Sequence, residues 1–190
     1  MSPRIKAAMR ASNAMLSVLL LVLLLVHAVA GGFVMLGING STAKILSWST
    51  LVLAAIHAAF GIIFTVDAVM NSCSGSFKYL KANASFWAVR ISGIALLLLL
   101  CFHVGAFGTQ RSGQFVLFEF TLLRLITHLL MVAALGVHIL SALRPMLTAA
   151  GLGKGLRISP SLMMFLSVMT LFFAVSVITY YVMWNAWAGV

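Results

Sequence analysis

Five histidines stand out in a chain that carries few other groups able to do chemistry. They are His27, His57, His103, His128 and His138, and each lies inside a long apolar run. An ionisable side chain is costly in such a run and is usually kept for binding or transfer chemistry. A single histidine there would more often form a hydrogen bond between helices. Five of them indicate a site for a metal or for a metal-containing cofactor, because neutral imidazole is a strong ligand for transition metals.

A metal centre built from protein side chains alone is disfavoured. Zinc and di-iron sites usually add cysteines or carboxylates to the histidines. The only acids, Asp67 and Glu119, lie apart from most of the histidines, and the two cysteines, Cys73 and Cys101, lack the spacing of metal ligands. Two axial imidazoles make a stable electron-transfer haem. The residues therefore favour haem b with paired histidines, and four histidines would serve two haems.

The composition places these histidines in a membrane. Of the 190 residues, 63% are apolar and 7% are charged, whereas soluble proteins carry about 25% charged residues. The net charge of +10 comes from 12 basic residues against two acids, and the basic residues lie between the apolar runs. That distribution is typical of an integral membrane protein. It excludes soluble hydrolases and nucleic-acid-binding domains.

Five apolar segments reach the length of about 20 residues that a membrane-spanning helix needs. They predict an all-α integral membrane protein with one membrane domain over 1–190, whose first four helices enclose two haems b. The first segment resembles a signal peptide, but its apolar stretch is longer than a signal peptide's, so we expect it to be retained. The predicted helices cover about 12–37, 45–70, 85–108, 118–149 and 161–186.

The basic residues also predict the orientation of the chain. If the N-terminus is cytoplasmic, nine basic residues lie at the inside ends and three, Lys44, Arg111 and Arg124, lie towards the outside. An excess of Lys and Arg on the cytoplasmic side is the usual arrangement. The nine predicted inside residues are Arg4, Lys6, Arg10, Lys78, Lys81, Arg90, Arg144, Lys154 and Arg157.

The depth of each histidine along its helix predicts which ones meet. His27 and His103 lie six to ten residues from the outer ends of two parallel helices, and we call them the outer pair. His57 and His138 both lie roughly 16–20 Å from the inner ends of their helices, and we call them the inner pair. Each pair could hold one haem.

His128 competes with His138 for the inner pair. It lies ten residues before His138, about 15 Å higher on the same helix. If the fourth helix ends early, near Pro145, the depth of His128 matches that of His57 better. Otherwise His128 is a buried polar residue near a haem or a quinone. Depth favours His138 and leaves both open.

A weak internal repeat pairs the same four histidines, and the chain then resembles a known family. It is similar to the dihaem cytochrome b membrane anchor of succinate:menaquinone oxidoreductases and quinol:fumarate reductases. The resemblance covers nearly the whole chain, and the order of its motifs is more specific than any one of them. The matching pieces are Val89-Arg90-Ile91-Ser92-Gly93, Phe102-His103, Ile56-His57-Ala58-Ala59-Phe60-Gly61, Val137-His138, Gly151-Leu152 and Arg157-Ile158-Ser159, before a fifth helix without histidine.

The resemblance implies an electron-transfer component of a larger complex in the bacterial cytoplasmic membrane. The family has haem ligands at the positions of His27, His57, His103 and His138. A flavoprotein with covalently bound FAD would interconvert succinate and fumarate, and an iron–sulfur subunit would pass electrons to or from this chain. The chain would exchange them with menaquinone or another quinone, and would not bind the dicarboxylate itself.

Several cations are candidates for the haem propionates. Arg90 and Arg144, and less strongly Arg10, lie at the inner helix ends, where they could pair with the propionates of the inner haem. Arg124 lies inside the outer half of the fourth helix and could serve the outer haem. Arg90 and Arg144 could equally anchor helix ends or bind anionic lipid, and this interpretation is favoured for Arg10. Arg124 could instead pair with Glu119 or extend to the outer end of its helix. Arg90 and Ser92 also resemble an Arg/Ser pair that lines quinone sites in related anchors.

The few other polar residues are candidates for quinone and proton chemistry. Glu119, with Gln114 second, is the candidate for an outer quinol site, since a quinone needs polar partners at its carbonyls. Asp67 lies near the inner end of the second helix, where it could form a proton path or contact the iron–sulfur subunit. The aromatic residues that close the chain, Tyr180, Tyr181, Trp184 and Trp187, predict an anchoring belt at the outer surface.

Two other functions remain open from the sequence. A cytochrome b subunit of a nitrate-, formate- or hydrogen-linked oxidoreductase would use both His128 and His138 as ligands and leave His103 spare. A haem-free transporter would need polar or helix-breaking residues at the midplane around a cavity. The midplane polar residues here are mainly histidines, which disfavours the transporter.

Overall fold

The computed structural model describes residues 2–36, 44–71, 84–107, 110–111, 114–115, 120–151 and 158–187. These residues form five α-helices and, between the third and fourth, one antiparallel pair of two-residue strands. Each helix is long and apolar enough to cross a membrane, so the predicted helical, multi-pass membrane class is confirmed. The elements are α1 (Pro3–Met35), α2 (Lys44–Asn71), α3 (Ala84–Phe107), β1 (Gln110–Arg111), β2 (Gln114–Phe115), α4 (Leu122–Ala149) and α5 (Pro160–Trp187).

Two helices begin at places other than the predicted ones, and their caps explain why. α1 begins at Pro3, well before the apolar run, because the Ser2 hydroxyl accepts the Ile5 N–H at 3.4 Å and proline suits a first helical position. α4 begins at Leu122 rather than 118, because Thr121 Oγ1 caps it by accepting the Arg124 N–H at 3.4 Å. The apolar run thus predicts the spanning part of a helix, and the cap decides where the helix starts.

α4 continues through Pro145 to Ala149. A proline inside a helix leaves the carbonyl four residues earlier without its usual donor. Here that carbonyl belongs to Ser141, and it accepts a hydrogen bond from the Ser85 hydroxyl of α3 at 3.3 Å. The helix ends at Ala149, and just beyond it Gly151 adopts φ +80° and donates its N–H to the Thr148 carbonyl. The early end that would favour His128 for the inner pair does not occur.

The first four helices form a ring in which each packs against the next. α1 contacts α2, α2 contacts α3, α3 contacts α4 most extensively, and α4 closes the ring against α1. Within the described helices, neither diagonal pair, α1 with α3 or α2 with α4, is among those that pack closely. The space between diagonal helices is therefore bridged by side chains.

α5 lies outside this ring, against α1 and α4. Two glycines allow the close approach. A Cβ at Gly32 of α1 would lie 2.7 Å from the Phe172 ring of α5, and one at Gly136 of α4 would lie 3.0 Å from the Thr170 methyl group. Large apolar side chains on all five helices, such as Leu19, Leu98 and Leu171, are exposed, as a surface in contact with lipid requires.

Candidate functional site

The inner pair joins the diagonal helices α2 and α4. The ring centres of His57 and His138 lie 6.1 Å apart, and the planes of the two rings are nearly perpendicular at 88°. The helices α2 and α4 do not pack closely themselves, so the two imidazoles reach towards each other across the middle of the bundle. The structure therefore brings together the two histidines that depth pairs, and it places His138 rather than His128 beside His57.

The outer pair repeats this arrangement between α1 and α3. The ring centres of His27 and His103 are also 6.1 Å apart, with an angle of 83° between the planes. These helices form the other diagonal of the ring. Each of the four ring helices thus contributes one histidine, and each diagonal carries one pair.

The spacing within each pair matches two imidazoles that share one metal ion. A ligating imidazole nitrogen lies about 2 Å from a first-row metal, and the ring centre lies about 1 Å further out, so two rings on opposite sides of one ion have centres about 6 Å apart. Both measured separations equal 6.1 Å. A six-coordinate iron that is bound by two imidazoles needs four further ligands, and a porphyrin supplies four.

A metal site made of more side chains is not found in the described part of the chain. Among these residues, no group of three or more His, Cys, Asp or Glu is arranged to hold a metal ion. Each pair offers two imidazoles as donors, a set that fits a macrocycle better than a bare ion.

Hydrogen bonds orient the rings of the inner pair. His138 donates its Nδ1–H to the Val89 carbonyl of α3 at 3.0 Å, and its Nδ1 also lies 3.2 Å from Ser92 Oγ. His57 Nδ1 lies 3.1 Å from both Asn13 Oδ1 and Ser17 Oγ of α1. A hydrogen bond at Nδ1 fixes the tautomer and leaves Nε2 with the lone pair that binds a metal.

A hydrogen bond of the same kind reaches the outer pair. His27 Nδ1 lies 3.3 Å from the Ser47 hydroxyl of α2. Ser47 lies ten residues before His57 on α2, and Ser17 lies ten residues before His27 on α1. Both helices thus give the same separation of about 15 Å between the two pairs.

Open space lies beside one histidine of each pair. Gly31 and Gly61 lie four residues after His27 and His57, and residues at that spacing share one face of a helix. A Cβ at either glycine would meet no other described part of the chain within 4 Å. A flat macrocycle could therefore lie against the backbone there. Gly93 differs, because a Cβ at that position would lie 3.3 Å from the His138 ring.

His128 lies beside the outer pair. Its ring centre is 5.5 Å from that of His103, and its Nδ1–H donates to the Arg124 carbonyl at 2.7 Å. The rings of Phe120 and His128 are in contact, with centres 5.3 Å apart. The prediction that His128 otherwise serves as a buried polar residue agrees with its 2% exposure.

The predicted propionate residues occupy different settings. Arg90 is half-buried, with its guanidinium carbon 3.4 Å from the Phe86 ring centre and Nη1 donating to the Phe86 carbonyl. Ser92 is buried beside His138. Arg144 is exposed near the end of α4, and Arg124 is half-buried in the first turn of α4. Ser92 thus contacts a histidine of the inner pair, Arg90 lies two residues before Ser92, and Arg124 lies one turn before His128.

The predicted quinone and proton residues are only partly described. Asp67 Oδ1 and Oδ2 accept hydrogen bonds from Lys6 Nζ, at 2.7 and 2.9 Å, which ties α2 to the start of α1. Gln114 lies in β2, and Glu119 lies outside the described residues. An outer quinol site at Glu119 and Gln114 stays a prediction.

The polar partners of the histidines on α1 and α2 are not predicted from the sequence. Asn13, Ser17 and Ser47 are the residues concerned, and each contacts an imidazole of the neighbouring helix. A signal was present, since Ser17 and Ser47 each interrupt an apolar run ten residues before a histidine. Sequence spacing alone gives their depth but not the neighbour that they face.

The predicted aromatic belt is partly an internal cluster. Phe120, Val177 and Tyr180 are buried together, with Met35 and Trp184 packed against them. Tyr180 is 7% exposed, so it belongs to the core between α4 and α5 rather than to a surface belt alone. This corrects the assignment of Tyr180 to anchoring only.

Comparisons of the chain with protein-family models, curated proteins and solved structures found no match. The two histidine pairs and their surroundings are therefore the features that point to a function.

Proposed function

We propose that this chain is a dihaem cytochrome b membrane anchor of the succinate:menaquinone oxidoreductase and quinol:fumarate reductase type. The observation that supports the proposal most strongly is the pair of diagonal histidine contacts, each with ring centres 6.1 Å apart. The rings lie at two levels about 15 Å apart along the bundle. In this proposal His27 with His103 and His57 with His138 are the axial ligands of two haems b.

Bound haem would supply reversible one-electron chemistry. The contribution of the chain is to hold the imidazoles in fixed planes, to keep water out, and to place the two sites at a constant separation. Val89, Ser92, Asn13 and Ser17 hold the inner imidazoles, and Ser47 holds one outer imidazole. Fixed ligands in an apolar surrounding keep the geometry nearly unchanged between oxidation states. The arrangement suits electron transfer along the bundle axis.

The partners follow from this role. The proposed orientation places the N-terminus in the cytoplasm of a bacterial cell, with the inner pair towards an iron–sulfur subunit that is in turn bound to a flavoprotein carrying FAD. A quinone, menaquinone in the family that the chain resembles, would exchange electrons at the membrane. Arg90, Arg144 and Arg124 are the proposed partners of the haem propionates, and Glu119, Gln114 and Asp67 the proposed quinone and proton residues.

A second candidate is a cytochrome b subunit of a nitrate-, formate- or hydrogen-linked enzyme. The contact between His128 and His103, with ring centres 5.5 Å apart, is the observation that favours it. In that case His128 and His138 of α4 would both be ligands, and His103 would be spare. The contact between His57 and His138 is common to both candidates, so only the outer site separates them.

The test is the haem content of the purified protein with its co-purifying subunits, measured from the reduced pyridine haemochrome spectrum. We expect two haems b per chain. His103→Ala should leave one haem, and His128→Ala should leave two. Two haems in His103→Ala and one in His128→Ala would select the second candidate. A wild type without haem would refute both.

The same preparation also tests which type of respiratory complex the chain belongs to. Covalently bound FAD, detected by the fluorescence of the flavoprotein band in a denaturing gel, is expected together with succinate-dependent reduction of the haems. Haem reduction by formate or hydrogen, without response to succinate, would contradict the proposed partners.

A further inference from the structure

His128 lies beside the outer pair, and the proposed ligand set gives it no role. His128 is 2% exposed, although a buried histidine is costly in a bundle that offers few polar partners. Its Nδ1–H donates to the Arg124 carbonyl at 2.7 Å, one turn earlier in α4. This bond fixes the tautomer and the orientation of the ring, so His128 is a rigid element of the bundle.

The contacts of His128 place it between a proposed ligand and an aromatic cluster. On one side its ring centre lies 5.5 Å from that of His103, with an angle of 53° between the planes. On the other side it meets Phe120 at 5.3 Å, and Phe120 meets Tyr180 at 5.0 Å. Phe120 and Tyr180 are themselves buried. The cluster therefore holds His128 against His103.

The position of His128 in the bundle matches that of Ser47. Ser47 lies ten residues before the inner histidine of α2, and its hydroxyl contacts His27 of the preceding helix. His128 lies ten residues before the inner histidine of α4, and its ring contacts His103 of the preceding helix. Each histidine of the outer pair thus meets one residue at the equivalent position of the next helix.

We propose that His128 is a positioning residue for His103, which holds the plane of the His103 imidazole and thereby sets the reduction potential and ligand field of the outer haem. The inference rests on the proposed function, because it assigns His103 as an axial ligand. The orientation and surroundings of axial ligands are among the features by which a protein sets haem potential. The inner haem, which His128 does not touch, should be independent of this residue.

The experiment compares three variants in the purified complex with its two haems. His128→Ala removes the ring, and His128→Phe keeps a flat ring without nitrogens. Thr127→Ala is the matched control, because Thr127 is the adjacent buried polar residue and, among the described residues, its hydroxyl donates to the Leu123 and Arg124 carbonyls of its own helix. The readouts are haem content, the low-spin ferric signals in electron paramagnetic resonance spectra, and potentiometric titration of each haem. His57→Ala, which retains the outer haem, assigns the signals.

We expect His128→Ala to keep two haems but to shift the outer signal. At a fixed potential its ratio of oxidised to reduced outer haem should change by up to about tenfold, which corresponds to ~59 mV for one electron. His128→Phe should give a smaller change, because the wall against His103 is retained. The inner signal should stay unchanged in both variants, and Thr127→Ala should resemble the wild type.

Two results would overturn the inference while the proposed function stands. One is wild-type signals and potentials in both variants, and the other is an equal shift of both haems, or a shift in Thr127→Ala, which would indicate general loosening. Loss of the outer haem in both His128 variants would make His128 a ligand, and would overturn the inference and favour the second candidate. If His128→Ala does not fold, the outer-haem signal and potential of His128→Phe test the inference by the same criteria. A wild type without haem would overturn the proposed function and the inference together.

Discussion

The inner and outer pairs have the same spacing but are held by different forces. In the inner pair, both imidazoles have Nδ1 partners on the neighbouring helix, and His138 donates to a backbone carbonyl. In the outer pair, His27 has one longer contact to Ser47, and His103 is packed against the ring of His128. Among the described contacts, hydrogen bonds therefore contribute more to the inner pair, and ring packing against His128 is a feature of the outer pair.

This difference has a chemical consequence. A hydrogen bond donated from Nδ1 to a carbonyl makes the imidazole a stronger electron donor through Nε2. Ring packing restricts the plane of the ligand but does little to its basicity. One bundle therefore offers two ways to tune two otherwise similar sites, and each way can be removed by mutation separately.

The largest expected effect is loss of one haem from one site. His57→Ala or His138→Ala should reduce the haem content from two per chain to one, and His27→Ala should do the same for the other site, because a single imidazole holds the macrocycle weakly. The pyridine haemochrome spectrum gives the content. The remaining haem should keep its own spectrum in each variant. Loss of both haems from every variant would show that the two sites do not form independently.

Closing the space beside each pair should have the next largest effect. In Gly61→Phe the new side chain starts in a space that no other described residue borders within 4 Å, so the helices can stay in place while the inner haem is displaced. Gly31→Phe should displace the outer haem instead. The measurements for both variants are the haem content and the spectrum of the haem that remains bound. Unchanged haem content in both would place the macrocycles away from these glycines.

Removal of the hydrogen-bond partners should weaken the inner site more than the outer one. We expect the double variant Asn13→Ala/Ser17→Ala to bind the inner haem about 10–100-fold more weakly, the usual cost of losing such partners at a metal site. Ser47→Ala should weaken haem binding at the outer site by about tenfold or less, because the contact of Ser47 to His27 is longer, at 3.3 Å. Transfer of haem to an excess of a competing haem-binding apoprotein measures both. An equal loss of haem affinity at the two sites would show that hydrogen bonds do not contribute more to the inner site than to the outer site.

The smallest effect is expected from the ion pair at the predicted inner end. Lys6 and Asp67 are 27% and 29% exposed and are thus only partly buried, and ion pairs that reach the surface contribute about 0–1 kcal/mol to stability. The free energies of unfolding of Lys6→Ala and Asp67→Asn should therefore lie within about 1 kcal/mol of the wild-type value, and both variants should keep two haems. Thermal unfolding followed by haem absorbance is the measurement. Slower quinone reduction in Asp67→Asn but not in Lys6→Ala would instead favour the proton path.

The sequence alone predicts the helices and the depth of each histidine. Both are local properties, because the length of an apolar run fixes a membrane span and the rise per residue converts position into depth. The ranges of α2, α3 and α5 agree with the predicted ones to within one residue at each end. The start of α1 was missed because Ser2 and Pro3 act through capping rather than through hydrophobicity.

Only the tertiary structure decided which rings meet and what holds them. Depth left His128 and His138 both open for the inner pair, and the choice depended on α4 continuing past Pro145, where Ser85 of another helix satisfies the Ser141 carbonyl. The roles of Asn13, Ser17 and Ser47 likewise depend on how each helix is rotated towards its neighbour. Rotation and contact are set by the packing of the whole bundle, and sequence spacing carries no information about them until the neighbouring helix is in place.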